Sequence, residues 1–448
     1  MNANNNKLSL SDFFTYRHQC KLIREAQMID ANYENAIIEY AKFFMADLIK
    51  AMCADNGSDD QIALVDKFIS NKSSVYVSPG VLDLENKEKP LKEINQIEVS
   101  PITEFFLQIR EVYHCWTSCN INTAIEVLRD IFINKLQISD SDKKEVPKSE
   151  LLYRGRMSDN TLEKADMFHI PFMKAYKIRN QRFSITGQPL LYLSNSVFGV
   201  FNELSAIENY EKLYIAQYRF KQYDEKKMYV YDLTIDGSQL FQQNDIAIFS
   251  KNLYRFMLAC VCSFPNVRGR DNSFFVEEYV IPQLATQFIK NTGNTFKGIC
   301  YNTANYDNCT LEYAEYDVDK TSSQKTVEAC KETEKYINYA FFTEKRDANE
   351  AMDHVLRDFF IIDEPIKVLD VLSCGGLEKD RCDKDVIKLV EDYCQYISSI
   401  TSVSDAIRTA KHFDQFEKEV NWLYRDGRYR CINKEKGTQN KVIPNETI

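Results

Sequence analysis

Glycine and proline are scarce, 13 and 10 in 448 residues, which excludes collagen-like and low-complexity chains. The 13 cysteines include no CxxC pair. Their odd number and scattered placement fit reduced thiols in a cytosolic protein better than a disulfide framework. No stretch reaches the roughly 18 uninterrupted apolar residues of a membrane helix. The polar start, Met1 to Lys7, leads into no apolar signal core. There is no Walker loop, no GxGxxG, no run of five like charges and no internal repeat. A soluble, cytoplasmic chain is expected.

Positive charge is also in deficit. Lys and Arg number 56 against 66 Asp and Glu, a net charge of -10. Such a field repels phosphate backbones at long range and disfavours general nucleic-acid or anionic-membrane binding. Zinc is weakly signalled. His114, Cys115 and Cys119 lie at helical spacing, but no second ligand pair accompanies them, and cysteine is commonly a small buried apolar residue. We expect no metal.

What is abundant is material for a core. Hydrophobic residues make up 44% and aromatics 12%, with 27% charged, the balance of an ordinary globular protein and not of a disordered one. At about 150 residues per domain the length suggests two to three domains. Residues 1–149 read as mostly helical. Ile37, Ala41, Phe44 and Leu48 recur at helical spacing, and Ser100-Pro101 has the form of an N-cap followed by proline at the first helical position. The charged segment Ser139 to Ser149 is the best linker candidate. Over 150–365 short strand-like pieces alternate with helical stretches, which predicts an α+β domain. Residues 366–448 read as a helical extension with a polar tail. Val386, Val390, Tyr393 and Ile397 line one face, and Phe413, Phe416, Val420 and Leu423 another.

The most informative stretch is 151–204. Arg154 and Arg156 follow an apolar tripeptide, Arg179 and Arg182 precede a turn-like segment, and Leu190 to Leu193 forms a short strand. Ser194 or Ser196 can cap the helix that follows. Four arginines beside strand ends and a helix start could hold a diphosphate. Residue types alone leave open that these arginines are solvated surface charges. Periodicity puts Glu203 beside its helix's apolar stripe, as a solvated carboxylate, and would sooner bury Glu208.

This segment resembles the RES domain family, named for its Arg, Glu and Ser, whose bacterial members are toxins that consume NAD, some within toxin–antitoxin pairs. The matching pieces are Leu152-Tyr153-Arg154, Phe168-His169-Ile170-Pro171-Phe172, Arg182 to Gly187, Tyr192 with Glu203 eleven residues later, Glu278 to Leu284, Gly298 to Thr303, and Asn338 to Phe341. They cover 150–365 and leave both flanking regions unmatched.

The resemblance implies an ADP-ribosyltransferase-like fold, a split β-sheet core with a cleft for NAD as substrate. It implies catalytic roles for Glu203, Arg154, Tyr192 and Thr303. Contacts to NAD would come from Arg154, Arg182, Tyr192 and Ser194. The family's Ser falls at Thr303, which keeps the hydroxyl and adds a methyl. The implied reaction is cleavage of the nicotinamide–ribose bond. The acceptor is left open: phosphate, water or a protein side chain would give a phosphorylase, a glycohydrolase or an ADP-ribosyltransferase. A degenerate, non-catalytic binding protein is the alternative from another class. Expected partners are NAD, inorganic phosphate and a cognate antitoxin, with no nucleic acid and no membrane.

Overall fold

Local capping signals set the helices that precede the sheet. The computed structural model describes residues 8–54, 59–77, 95–204, 212–221, 227–266, 275–292, 296–304, 337–345, 347 and 350–367. Helix α1 (Leu10–Phe13) opens on a capping box between Ser9 and Asp12. Helices α2 (Tyr16–Ile29) and α3 (Tyr33–Cys53) begin at Thr15 and Asn32, whose side chains accept from the amides three residues on. Ile37, Ala41, Phe44 and Leu48 form part of the buried face of α3, as their spacing predicts. Helix α4 (Asp59–Ile69) leads to a two-stranded antiparallel hairpin, β1 (Ser73–Val77) and β2 (Asn95–Val99). Helix α5 (Pro101–Thr117) starts with Ser100 accepting from the Thr103 amide and Pro101 at its first position. Helix α6 (Ile121–Asp130) continues into a π-helical turn at Ile131–Lys135.

The second part is built on one mixed sheet. Its elements in chain order are β3 (Lys143–Glu145), β4 (Leu152–Met157), β5 (Leu190–Ser194), α7 (Val197–Glu203), β6 (Leu213–Phe220), β7 (Tyr229–Leu233), α8 (Ile246–Cys262), α9 (Val280–Lys290), β8 (Gly298–Asn302), β9 (Ile337–Phe342), α10 (His354–Phe359), β10 (Phe360–Ile362) and β11 (Ile366–Lys367). The spatial order is β10-β6-β4-β5-β9-β8-β7-β3, with β11 also on β6. Among the described residues only β7 and β8 pair in parallel, and α8 and α9 lie in the crossover that such a pair requires. The chain is α+β, as expected.

The sheet has two buried faces, and alternation along each strand assigns them. Ile299, Tyr301, Ala340 and Phe342 belong to a core shared with α1–α6, α8 and α9. Cys300, Tyr339, Phe341, Leu191 and Leu193 belong to a second core with Met167, Phe168, Leu356 and Phe360. The N-terminal helices therefore pack directly on the sheet.

Segment 139–149 is not the expected linker. Its β3 pairs antiparallel with β7 at the sheet edge. Its charges are used inside the fold: Lys144 lies 3.1 Å from the buried Asp232, and Asp142, itself buried, lies 2.8 Å from Lys251. A charged segment with the composition of a linker is paired within the fold. Among the described residues no helix is long and apolar enough to cross a membrane, and the described cysteines are free thiols. The helical faces expected at 386–397 and 413–423 lie outside the described residues, as does Glu208.

One feature of the pairing positions everything that follows. Strand β4 pairs with β6 along its whole length, Leu152 to Met157, and β5 pairs with β9 from Leu190 to Ser194. Between β4 and β5 the register is a single pair, Tyr153↔Ser194. The sheet parts there into two halves joined at one point.

Candidate functional site

A strand that leaves its neighbour exposes backbone polar groups that must be answered by something else. At the parting of β4 and β5 the structure has an open cleft with about 1210 Å³ of empty space, mouth included. Its walls carry Arg154 from β4, Tyr192 and Ser194 from β5, Arg182 from the preceding loop, Glu203 from α7, and Asn338 from β9. Tyr279 and Tyr301 complete them. Residues separated by more than 180 positions thus meet at one split.

Helix α7 reaches the cleft because two glycines let it lie close. A Cβ on Gly155 would stand 2.3 Å from Val200 Cγ1, and one on Gly199 would stand 2.2 Å from Ser194 Oγ. Ser196 provides the cap, its Oγ accepting from the Gly199 amide at 2.9 Å. Ser194 Oγ is packed against this start and is reached by the Ser196 amide at 3.4 Å.

Glu203 is the first correction. It is not a solvated helix carboxylate. It is half-buried, and Asn338 Nδ2 donates to its Oε1 at 2.7 Å. The side of α7 that periodicity assigns to water faces the cleft instead, because this short helix is docked in the split. Burial pushes the Glu203 carboxyl above its ordinary range, and the Thr303 hydroxyl and the Arg182 charge act in the opposite direction.

The arginines divide. Arg154 is half-buried, and its Nη1 is buried with no hydrogen-bond partner. Burial and the neighbouring Arg156 charge pull its pKa below the usual value. A guanidinium in that position is a cation awaiting an anion. Arg156 also lines the cleft, but its Nη1 donates to the Asp166 carbonyl at 2.7 Å. Arg182, 8% exposed, donates through Nη1 to the carbonyls of Cys262 and Phe264 at 3.0 and 2.8 Å and lies 5.0 Å over the Tyr279 ring. Its Nη1 ties the cleft wall to the end of α8, so an anion would have to be met by the rest of the guanidinium.

Tyr192 hydrogen-bonds the Ser184 hydroxyl at 3.2 Å, and with Tyr279 and Tyr301 it gives the cleft three aromatic faces. Tyr301 is braced by Phe183, ring centroids 4.4 Å apart. Thr303 differs most from expectation. It is fully buried and does not line the cleft. Its Oγ1 stands toward Glu203 and helps to stabilise that carboxylate, without closing a well-formed hydrogen bond to it or to any other group. Any part it has in the site passes through Glu203.

Asn338, Tyr279 and Tyr301 lie in pieces matched by the resemblance but were not among the expected site residues. Asn338 carried a usable signal: a polar side chain at the start of an otherwise apolar strand must have a buried partner. The FHIPF piece turns out to be scaffold. Buried His169 accepts from the Asp353 amide at Nε2 (2.8 Å), and its Nδ1 faces the Ile170 carbonyl at 2.8 Å. Among the described residues no three metal-ligating side chains converge. His114 lies 3.4 Å from Glu34, and Cys115 Sγ meets Glu111 at 3.3 Å.

No family model matches the chain, and no solved structure matches it. Over 276 residues it is 26% identical to a Bacillus subtilis (strain 168) protein named "Putative toxin YopC". The match covers 57% of this chain and 59% of that protein, so the chain spans less than two thirds of the relative's length.

Proposed function

We propose that this protein is an NAD-consuming toxin of the RES type, and that the cleft at the sheet's parting cleaves the bond between nicotinamide and ribose. The observation that carries this reading is the Arg154 guanidinium, its Nη1 buried without a hydrogen-bond partner, in the same cleft as the half-buried Glu203 carboxylate. A ligand that carries a diphosphate and develops positive charge at a sugar carbon satisfies both groups. The tyrosine faces suit a flat ring, and the toxin named among similar proteins agrees in kind.

In the proposed reaction the C1′–N bond breaks and its electron pair goes to the pyridinium nitrogen. Nicotinamide leaves neutral, so no general acid is required. Positive charge builds on the ribose as in glycoside hydrolysis. Glu203, held at Oε1 by Asn338, keeps its second oxygen for the ribose and the developing cation. Arg154 holds the diphosphate, and Tyr192 packs on the nicotinamide ribose. Burial strengthens each of these interactions over its value in water. Phosphate or water then takes the ribosyl carbon. In a toxin of this kind a cognate inhibitor protein restrains the activity.

Purified protein incubated with NAD, in phosphate and in phosphate-free buffer, tests the reading. Nicotinamide should appear, with a phosphorylated ADP-ribose in the first buffer or ADP-ribose in both. NAD that stays intact in both buffers removes the reading.

A further inference from the structure

The back of this site is made by the N-terminal helices, which the resemblance to a toxin core leaves unexplained. Tyr16, the first residue of α2 and 2% exposed, donates its hydroxyl to the backbone carbonyl of Thr303. The β8–β9 ladder ends at Asn302↔Ile337, so Thr303 is the first residue beyond it. Tyr16 supplies a hydrogen bond where the sheet no longer does. Thr303 in turn sits two residues beyond Tyr301, which lines the cleft and pairs with Asn338, the donor to Glu203, and its own buried hydroxyl makes no well-formed hydrogen bond.

The surrounding packing leaves α2 little freedom to shift. Gln27, on the same helix, donates to the Pro265 carbonyl at 3.0 Å, in the turn whose Cys262 and Phe264 carbonyls hold Arg182. Tyr33 and Tyr40 of α3 set their rings 5.4 and 5.6 Å from Phe264. At Gly237 a Cβ would stand 2.3 Å from Phe14 Cβ and 2.6 Å from the Phe14 carbonyl oxygen. The N-terminal layer therefore touches the backing of the cleft at two places, the Thr303 carbonyl and the turn that holds Arg182.

We propose that Tyr16 is a positioning residue of the cleft: it fixes Thr303 at the backing of the cleft, so that the site is complete only with α2 docked. This rests on the proposed NAD cleavage. A buried hydroxyl–carbonyl bond restrains a backbone segment, and misplacement by about 1 Å can cost on the order of 100-fold in rate.

The test uses the full chain and the isosteric substitution Tyr16→Phe. With the melting profile showing a folded protein, kcat for nicotinamide release should fall roughly 10- to 100-fold, while KM for NAD changes little. In a Thr303→Val background the same substitution should cost little more, because a residue acting through Thr303 has nothing left to position. Hydrogen exchange at residues 301–304, read by mass spectrometry, should speed up in Tyr16→Phe. A folded Tyr16→Phe protein with parental kcat overturns the proposal, and so does a loss that simply adds to that of Thr303→Val. If the parental protein leaves NAD intact, the catalytic reading fails by itself, and unchanged exchange at 301–304 then overturns the positioning role independently.

Discussion

Arg154 and Arg182 face one cleft from different walls, and their surroundings are opposite. Arg182, in the loop before β5, is nearly covered and has its Nη1 matched to two carbonyls at the end of α8. Arg154, on β4, has a buried Nη1 with nothing to meet it. A buried polar group without a partner is costly, on the order of 1–3 kcal/mol and more when charged. Strain of this kind tends to collect at functional sites. Arg182 is tied into the scaffold through Nη1, and the unpartnered Nη1 of Arg154, in an open cleft, is where an anionic ligand fits. The same contrast separates His169, buried with both ring nitrogens engaged, from Glu203, half-buried in the cleft wall with Oε1 held by Asn338.

The largest effect expected from this contrast is on turnover. Glu203→Gln keeps size and hydrogen bonding and removes the charge. Nicotinamide release should fall by roughly 100-fold or more, the scale of losing one well-placed electrostatic group. Stability should move the other way. The folded carboxyl titrates above its ordinary value, so its ionisation costs stability as pH rises through that raised value. The Gln variant has no such cost, and should be at least as stable as the parent at pH 7. For the same reason the acid limb of the parental pH–rate profile should lie above the ordinary carboxylate range. A Glu203→Gln protein with parental turnover would put the carboxylate outside the mechanism.

Next is the committed arginine. Arg182→Met keeps the stem over Tyr279 and leaves the Cys262 and Phe264 carbonyls without their donor. Denaturant titration should show a loss of about 2 kcal/mol. A loss of NAD affinity with no loss of stability would reverse the assignment of the two arginines.

The smallest effect belongs to His169. Burial holds its pKa below 6.5. The unfolded chain therefore binds the proton more readily, so its contribution to stability is intact above pH 6.5 and is lost as pH falls toward the folded value. The melting temperature should decline over that window, and His169→Gln should flatten the decline. An unchanged slope would mean that the ring does not carry the pH dependence.

Much of this molecule was legible in its sequence, where local rules decide. The periodic face of α3, the Ser100-Pro101 start of α5 and the strand at Leu190–Leu193 follow from spacing, caps and apolar runs. What was not legible depended on partners far along the chain. Periodicity places Glu203 off the apolar stripe correctly, but cannot tell a cleft from bulk water. The charges of 139–149 look solvated until Asp232 and Lys251 arrive from elsewhere in the fold. Arg154 and Arg182 are alike as residue types. Only the carbonyls of α8 distinguish them. Thr303 matches a motif by order, yet its burial is set by how β8 ends and by Tyr16 from the N-terminal helices.

The contrast between the two arginines can be measured without catalysis. ADP-ribose titrated calorimetrically into the parental protein and into Arg154→Gln, at one low salt concentration, reports the diphosphate contact directly. The parent should bind, and the folded variant should bind about 10- to 100-fold more weakly, the worth of one charge-assisted hydrogen-bonded contact. Equal affinities in the two proteins would contradict the assignment of Arg154 as the diphosphate anchor of this cleft.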